Sequence, residues 1–345
     1  MTLPATAHSP APQGDPQALN RAAETLAAIQ QRARAAIIGR DEVIELTLIA
    51  LLADGHVLLE DYPGSGKTTL ARCLGDSLSG TSETTEGTGI ATFRRIQFTP
   101  DLLPSDVTGT SVFELEQNRF SFRPGPIFAH IVLADEINRT SPKVQAAMLE
   151  AMAEKQVTVD NETHSLNELF FVIATQNPLD VAGTYPLPAP QLDRFLFKLE
   201  MKHIAREAEL EVLRQYPRSS LEMGRELRRV SPAELIAARR AIRAGVHVAE
   251  AIREAMVDLA RSLRADERVL QGGSTRALVL MLPALQTRAV MRGRDYVSPE
   301  DLEALAEPVF GHRIECVPGI MDRSEIIAAA LRPQIERLSR SSLSR

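Results

Sequence analysis

The chain has 345 residues, a length typical of two domains. It carries 39 Lys and Arg residues against 45 Asp and Glu residues, and the net charge of −6 argues against a dedicated nucleic-acid-binding protein. Its 2 cysteines support neither a disulfide framework nor a cysteine-ligated zinc site. No uninterrupted apolar run approaches the ~18 residues that a membrane-spanning helix needs. We therefore expect a cytoplasmic protein without a membrane segment.

The first 200 residues predict an α/β domain over 18–200, preceded by an Ala- and Pro-rich disordered leader at 1–17. From residue 18 to residue 53, apolar residues recur at spacings of three and four, which predicts helix with a break at 38–40. Short apolar runs then alternate with amphipathic segments, a pattern typical of βαβ units around a parallel sheet. The expected strands lie near 56–60, 95–99, 131–134, 169–175 and 195–200.

Two insertions and a second domain complete the predicted organisation. Alternation of apolar and polar residues predicts β-hairpins at about 111–122 and 156–166, and the Ser/Thr/Gly-rich stretch 79–92 predicts a surface loop. After residue 200 the apolar spacing is helical, without a convincing strand. We therefore expect an all-helical domain over 201–338 and a disordered tail at 339–345.

A glycine-rich turn between an expected strand and an expected helix is formed by Pro63, Gly64, Ser65, Gly66, Lys67, Thr68 and Thr69. Such a turn cradles phosphate, because backbone N–H groups of the loop and of the helix N-terminus point at the anion. Lys67 would neutralise the β- and γ-phosphates, and the hydroxyl of Thr68 would bind Mg²⁺. Asp61 stands where the strict pattern has its first glycine, and Asp tolerates the left-handed conformation better than most residues. A chance Gly-rich turn is the alternative interpretation.

Two adjacent carboxylates end the apolar run 131–134. Asp135 would hold Mg²⁺ through water, and Glu136 would polarise the water that attacks the phosphate. Neighbouring residues on a strand point in different directions, so the two can have separate roles. Without the phosphate loop, the two carboxylates would be interpreted as solvated acids at the end of a strand. Together with the phosphate loop, they predict a site for ATP with Mg²⁺.

Three further polar residues are candidates for the same chemistry. Asn177 leaves an expected strand beside the acids, where it could orient the water or contact the γ-phosphate. Arg194 directly precedes another apolar segment. Arg276 lies in the first turn of an expected helix, where a cation opposes the helix dipole, and that cost favours an anionic partner such as phosphate.

The order of these elements resembles that of an AAA+ ATPase, and specifically of the MoxR family, over about residues 20–335. The most telling strings are RIQFTPDLLPSD at 95–106, LADEINR at 133–139, TYPLP at 184–188, QLDRF at 191–195 and DYVSP at 295–299. By this resemblance, Lys67 and Thr68 belong to the Walker A motif, and Asp135 and Glu136 belong to Walker B. The hairpins are similar to the helix-2 insert and the pre-sensor-1 hairpin of this AAA+ clade.

The resemblance also implies roles for the remaining candidates: Asn177 as sensor 1, Arg194 as the arginine finger and Arg276 as sensor 2. Arg276 would contact phosphate from the lid of its own subunit, whereas Arg194 would complete the site of a neighbouring subunit. Ala189-Pro190 stands where the family usually has Glu-Ala.

As a MoxR-type protein, the chain would form a homo-oligomer, typically a hexameric ring, with ATP bound between subunits. It would hydrolyse ATP to ADP and phosphate in order to remodel or mature a protein or metalloenzyme client, like a chaperone. Its expected partners are that client and a protein with a von Willebrand factor A domain.

Two other functions remain open on the sequence. Related AAA+ clades include nucleic-acid motors, but residues 1–200 hold 25 acidic against 15 basic residues, which disfavours a nucleic-acid motor. A nucleotide-gated scaffold would bind ATP with little turnover, and the intact Glu136 and Arg194 argue against it. A chelatase-like metal-insertion motor differs from the leading hypothesis only in its partner.

Overall fold

A computed structural model describes residues 15–61, 65–79, 90–177, 183–216, 224, 226–319 and 322–343. The helices are α1 (Pro16–Ala36), α2 (Asp41–Ala53), α3 (Lys67–Ser77), α4 (Pro104–Thr108), α5 (Pro142–Glu154), α6 (Ala189–Leu192), α7 (Arg206–Gln215), α8 (Pro232–Gly245), α9 (Glu250–Ala265), α10 (Thr275–Met291), α11 (Pro299–Phe310) and α12 (Arg323–Leu343). The strands are β1 (Val57–Asp61), β2 (Ala91–Gln97), β3 (Gly109–Glu114), β4 (Arg119–Pro124), β5 (Ala129–Asp135), β6 (Gln156–Val159), β7 (Glu162–Ser165), β8 (Phe171–Gln176), β9 (Phe197–Met201), β10 (Val269–Gln271) and β11 (Glu315–Cys316).

The two N-terminal helices are separated by a glycine. The carboxylate of Asp15 accepts a hydrogen bond from the N–H of Gln17 and so caps α1. Gly39 has a φ of +73°, a left-handed conformation that favours glycine, and it lies in the predicted break at 38–40. Because α1 begins at Pro16, the end of the leader predicted at 1–17 is helical, and residues 1–14 lie outside the described part of the chain.

A five-stranded parallel sheet with the order β2-β5-β8-β1-β9 forms the centre of the first domain. The prediction of a parallel sheet is confirmed, with strand ends that differ by a few residues from those expected. Every residue of β5 is buried, which explains why the strand is an unbroken apolar run. Hereafter, the amino edge of the sheet is the edge where its strands begin, and the carboxyl edge is where they end.

Helices cover both faces of the sheet. Successive residues of β5 point to opposite faces. Ile131 and Leu133 pack in a core with α1, α2, α3 and the helices of the second domain. Val132 and Ala134 pack in a second core with α5. The sheet therefore fixes the phosphate-loop helix and the second domain on one side.

Two antiparallel hairpins extend from this domain, at the positions where alternation predicts them. β3 pairs with β4, and β6 pairs with β7. Asp160 and Asn161 join β6 to β7 with positive φ angles of 50° and 66°, as a type I′ turn requires. The rings of Phe122 and His164 stack at 3.7 Å, so the two hairpins contact each other.

The second domain consists of helices α7 to α12, with two differences from the prediction. β10 and β11 form a short antiparallel ribbon, so the domain is not wholly helical. Helix α12 continues to Leu343, although the sequence predicts a tail from residue 339, because Leu338 is buried in the core and anchors the last turns. In the described residues, every helix is too short or too polar to cross a membrane.

Candidate nucleotide-binding site

The phosphate loop leads directly into α3. Gly66 is the N-cap of this helix and has a φ of +95°, a conformation that strains other residues. Lys67, Thr68 and Thr69 form the first turn, where backbone N–H groups lack helical partners and can bind an anion. Pro63 and Gly64, the other predicted cradle residues, lie outside the described residues.

Asp135 lies at the carboxyl edge beside Lys67. The Lys67 Nζ atom is 3.3 Å from Asp135 Oδ1, which also accepts a 2.7 Å hydrogen bond from the hydroxyl of Thr175. Arg95 donates from Nε and Nη2 to Asp135 Oδ2, at 3.0 and 2.6 Å. Burial alone raises the pKa of Asp135, but the hydrogen bonds from Thr175 and Arg95 and the charge of Lys67 bring it below its ordinary value. The carboxylate is therefore ionised at neutral pH.

Glu136 follows in a strained conformation. Its φ of 59° and ψ of 50° place it in the left-handed region, which is uncommon for Glu and occurs often at functional sites. Its backbone N–H donates to the Thr175 hydroxyl at 2.8 Å. Its carboxylate accepts a 2.8 Å hydrogen bond from Gln97 and lies 3.4 Å from Arg139. One buried threonine thus orients both acidic residues.

Thr175, Gln97 and Arg95 are site residues that sequence reasoning missed. Thr175 ends an apolar run, and the only available signal was a hydroxyl at the end of a strand. Gln97 and Arg95 lie on β2, which pairs in parallel with β5 so that Gln97 is opposite Asp135. That register depends on the sheet order, which the sequence does not specify.

Asn177 directly follows β8 and therefore lies at the carboxyl edge as well. The neighbouring Gln176 donates a 2.6 Å hydrogen bond to Glu60 at the end of β1, and Lys198 of β9 lies 2.7 Å from the same carboxylate. The structure therefore places Asn177 on the edge that carries Asp135 and Glu136.

A cavity of about 570 Å³ opens beside the phosphate loop. Ser65, Gly66 and Thr69 line one end of it. Most of its remaining wall is apolar. These wall residues include Ile37, Ile38, Met201, Ile204 and Val212. Sequence reasoning missed this cavity, since its wall comes from segments far apart in the chain.

Arg194 lies at the opposite, amino edge of the sheet. It precedes β9, and the N–H of Leu196 donates to the carbonyl of His56, the residue just before β1. Arg194 Nη1 donates a 2.8 Å hydrogen bond to the carbonyl of Leu149 on α5. The five residues of β1 separate the two edges by about 16 Å at ~3.3 Å per residue. Arg194 is therefore not part of the Lys67 cluster.

Arg276 also lies near the amino edge. Ser274, the N-cap of α10, donates a 2.9 Å hydrogen bond to the carboxylate of Asp193, the residue before Arg194. Burial lowers the pKa of Arg313, the hydrogen bond and charge of Asp193 raise it, and the charge of the exposed Arg276 lowers it, which places Arg276 near Arg313. The structure does not bring Arg276 beside the phosphate loop of its own subunit, because α10 begins at the opposite edge of the sheet.

Comparison with known proteins agrees with this geometry. Residues 56–197 match the model of the ATPase family associated with various cellular activities (AAA), and residues 261–330 match the AAA lid domain. The chain is 35% identical to Chaperone MoxR1 of Mycobacterium tuberculosis, over 88% of this chain and 79% of that protein. The chain belongs to the MoxR family of AAA+ ATPases.

Further relatives extend the comparison. YeaC of Bacillus subtilis is 45% identical over 82% of this chain and 84% of its own length. The protein MoxR of Paracoccus denitrificans is 30% identical over 86% of this chain and 90% of its own length. A crystal structure from Cytophaga hutchinsonii, of a protein assigned as an ATPase, has a TM-score of 0.80 and 33% identity, and the match covers 92% of this chain and 96% of that one.

The two matched segments divide the candidate residues of this MoxR-family chain. The AAA segment contains Lys67, Asp135, Glu136 and Arg194, and the lid segment contains Arg276. Within the described residues, no group of three or more His, Cys, Asp or Glu side chains could hold a metal ion.

Proposed function

We propose that this MoxR-family protein binds ATP at the carboxyl edge of its sheet and hydrolyses it to ADP and phosphate. The observation that carries the proposal is the cluster of Lys67, Asp135, Thr175 and Glu136 directly beside the start of α3. A cation, an ionised acid and a strained second acid at the N-terminus of a helix are the groups that phosphoryl transfer requires.

The binding step follows from these contacts. The phosphates would lie on the backbone N–H groups of residues 65–69, and Lys67 would exchange its contact with Asp135 for one with phosphate. The base and ribose would enter the adjoining cavity of about 570 Å³, whose apolar wall suits an aromatic ring. The cavity and the loop are continuous, which supports a nucleotide over inorganic phosphate as the ligand.

Thr68 and Asp135 would hold Mg²⁺ together with phosphate oxygens and water. One hydroxyl and one ionised carboxylate fit this ion, which usually keeps several waters and takes few protein ligands. Bound there, Mg²⁺ would neutralise charge on the phosphates. Arg95, whose side chain is 48% exposed, is the partner of Asp135 that has room to move away.

Hydrolysis requires a polarised water molecule. Glu136 would accept the proton of this water, and Asn177 on the same edge would orient it. In the structure, Gln97 and Arg139 hold the carboxylate of Glu136. Glu136 would therefore exchange these contacts for water when ATP is bound.

A neighbouring subunit would complete the site. Arg194 and Arg276 both lie near the amino edge, about 16 Å from the carboxyl edge at ~3.3 Å per residue of β1. We therefore assign both arginines to the ATP of the next subunit in a homo-oligomeric ring, with a hexamer as the proposed form. Hydrolysis would then depend on assembly.

The proposed output of the ring is remodelling of a protein or metalloenzyme client. A relative at 35% identity is named a chaperone, which supports a chaperone-like role. Hydrolysis would release contacts between lid and neighbour and convert the reaction into motion. The β3–β4 and β6–β7 hairpins would contact the client, and a protein with a von Willebrand factor A domain is the proposed partner.

The proposal is tested by measuring ATP hydrolysis per subunit over a wide range of protein concentration, with Lys67→Ala as control. We expect a rate per subunit that rises with concentration and that is absent in Lys67→Ala. A rate per subunit that does not change with concentration would contradict completion of the site by a neighbour. Tight ATP binding without turnover would instead favour a nucleotide-gated scaffold.

A further inference from the structure

The segment that carries Arg194 is bound by the second domain. Residues 193–196 connect α6 to β9 and form no regular secondary structure. Their backbone and the carboxylate of Asp193 accept hydrogen bonds from three residues of the second domain. The three donors are Ser274, His312 and Arg313.

Arg313 makes most of these contacts. A guanidinium group has five N–H donors in a planar fork, and in Arg313 each one has an acceptor. Nε donates to Asp193 Oδ1 at 2.8 Å, Nη2 donates to the carbonyls of Asp193 and Phe195, and Nη1 donates to the carbonyl of Leu196 at 3.1 Å. The fifth bond, also from Nη1, goes to the carbonyl of Val309 in the last turn of α11, which ends shortly before Arg313. Four of the five donors thus bind the segment around Arg194.

Burial makes this arrangement specific. The side chain of Arg313 is only 1% exposed. If this side chain is replaced, each of its acceptors would therefore lose a hydrogen bond that water cannot replace. Lys cannot reproduce the contacts, because an ammonium group has three donors and no planar fork. His312, which is also buried, faces the carbonyl of Phe195 at 3.2 Å and adds a contact from the same turn.

A second buried arginine provides a comparison. Arg239 of α8 also joins the second domain to the first, but it donates to the carbonyl of Leu51 at the end of α2 and to Asp54. Arg239 as a whole residue is 4% exposed, and Arg313 is 5% exposed. The two arginines are therefore matched in burial and in their role as interdomain anchors, and only Arg313 binds the segment that contains Arg194.

We propose that Arg313 is a positioning residue for Arg194: it fixes the backbone on both sides of this arginine, so that the guanidinium group of Arg194 is presented to the nucleotide of the neighbouring subunit. The inference rests on the proposed function, in which Arg194 acts on that neighbour. It assigns the second domain a part in hydrolysis that is separate from any contact of Arg276 with phosphate.

The test is a comparison of Arg313→Lys with the matched control Arg239→Lys. We expect Arg313→Lys to lower the hydrolysis rate per subunit by about 10²-fold, the effect of a small misplacement of a catalytic group. The affinity for ATP should be unchanged, because the phosphate loop lies at the opposite edge. Arg239→Lys should retain a rate close to that of the unsubstituted protein.

Mixing subunits separates positioning from general damage. Subunits with Lys67→Ala are expected to lose ATP binding but keep Arg194 and Arg313, so they can complete the site of an Arg313→Lys subunit. We expect excess Lys67→Ala subunits to restore hydrolysis by Arg313→Lys subunits. Three outcomes would each overturn the inference. The hydrolysis rate of Arg313→Lys could equal that of the unsubstituted protein, or it could fall without being restored by mixing. The third outcome is that Arg239→Lys loses as much of its hydrolysis rate as Arg313→Lys and regains as much on mixing.

A second variant covers the case in which Arg313→Lys does not fold, as judged by its thermal unfolding. Asp193→Asn removes only the charged acceptor of Arg313 and Ser274, at a half-buried site, and should lower the rate about tenfold, as expected for the loss of one charge-assisted hydrogen bond. A wild-type rate in this variant would contradict the inference.

Arg194→Ala in the same mixing experiment distinguishes the two proposals. If Arg194→Ala keeps its rate, or if mixing does not restore it, the proposed action on a neighbour fails. If the hydrolysis rate of Arg194→Ala is lost and is restored by mixing, while the rate of Arg313→Lys is unaffected, only the proposed role of Arg313 fails.

Discussion

The two edges of the parallel sheet carry different halves of the proposed chemistry. At the carboxyl edge, acids and donors are already paired within one subunit: Asp135 contacts Lys67, Arg95 and Thr175, and Glu136 contacts Gln97. At the amino edge, Arg194 and Arg276 are cations with no carboxylate bound to them among the described residues. The carboxyl edge has the groups that bind a phosphate chain, and the amino edge can supply positive charge to the phosphate chain of another subunit.

This difference explains why one subunit would be a poor enzyme. The strands hold the edges about 16 Å apart at ~3.3 Å per residue of β1. Each subunit would therefore contribute half of two sites, and a ring would join the halves. Variants at the two edges should then differ in whether a neighbour can compensate for them.

The largest expected effect is that of Arg194→Ala at the amino edge. An arginine finger contributes ~10³–10⁵ to the rate, so hydrolysis at saturating ATP should fall by at least ~10³-fold. The dissociation constant for ATP should stay unchanged, because binding uses the other edge. Steady-state hydrolysis and equilibrium binding measure the two quantities. Arg261→Ala, an exposed arginine on α9, is the control, and a preserved rate in Arg194→Ala would remove this arginine from the mechanism.

Glu136→Gln should have a comparable but smaller effect at the carboxyl edge. Loss of a general base costs ~10²–10⁴ in rate, whereas the amide keeps the shape of the site and its affinity for ATP. Lys67→Ala subunits should not restore the hydrolysis rate of Glu136→Gln subunits, because Glu136→Gln and Lys67→Ala both damage the carboxyl edge. They should restore the rate of Arg194→Ala subunits. Glu154→Gln, at an exposed position on α5, is the control. Restoration on mixing would show that Glu136 acts on a neighbour.

His56 tests the stability of the amino edge. Its Nδ1 accepts a 3.1 Å hydrogen bond from the N–H of Val172, its Nε2 faces the carbonyl of Met152 at 3.2 Å, and burial lowers its pKa to about 4. The charge of Asp54 raises this pKa, and that of Lys155 lowers it. The unfolded chain binds a proton near pH 6.5, so the fold is fully stabilised above that pH and loses about 3 kcal/mol as the pH falls to about 4.

His56→Gln should remove that pH dependence. Urea unfolding between pH 7 and pH 4 would measure it, and the difference between wild type and variant isolates this group from the carboxylates that titrate below it. His247→Gln, at an exposed histidine, is the control for the substitution itself. Equal slopes in the wild type and in His56→Gln would mean that folding leaves the pKa of His56 unchanged, which would contradict this prediction.

Local patterns predicted most of the elements, because they depend on neighbouring residues. The alternation around residues 118 and 160 indicated the hairpins, and the apolar run before Asp135 indicated a buried strand. The residues that contact the acids of the site could not be predicted from the sequence. Gln97 meets Glu136 only because β2 pairs with β5, and pairing between distant strands leaves no mark in either one.

The position of the second domain was the other feature that the sequence could not show. Helical periodicity predicts α10 and the place of Arg276 in its first turn, but not which edge of the sheet the helix approaches. That edge is fixed by long-range contacts, such as those of the Arg313 side chain with the carboxylate of Asp193 and the carbonyl of Phe195. The expectation that Arg276 serves its own subunit therefore rested on the family resemblance alone.

Arg276→Ala decides between the two assignments and should have the smallest effect. Loss of one charge-assisted hydrogen bond to phosphate lowers the rate by about 10- to 10²-fold, since such bonds contribute ~1.5–3 kcal/mol. If Arg276 serves the neighbour, Lys67→Ala subunits should restore the rate, as they should for Arg194→Ala. If it serves its own subunit after a rearrangement of the second domain, they should not. Hydrolysis measured against the fraction of Lys67→Ala subunits separates these outcomes, because only a residue of the amino edge can be replaced by the adjacent subunit.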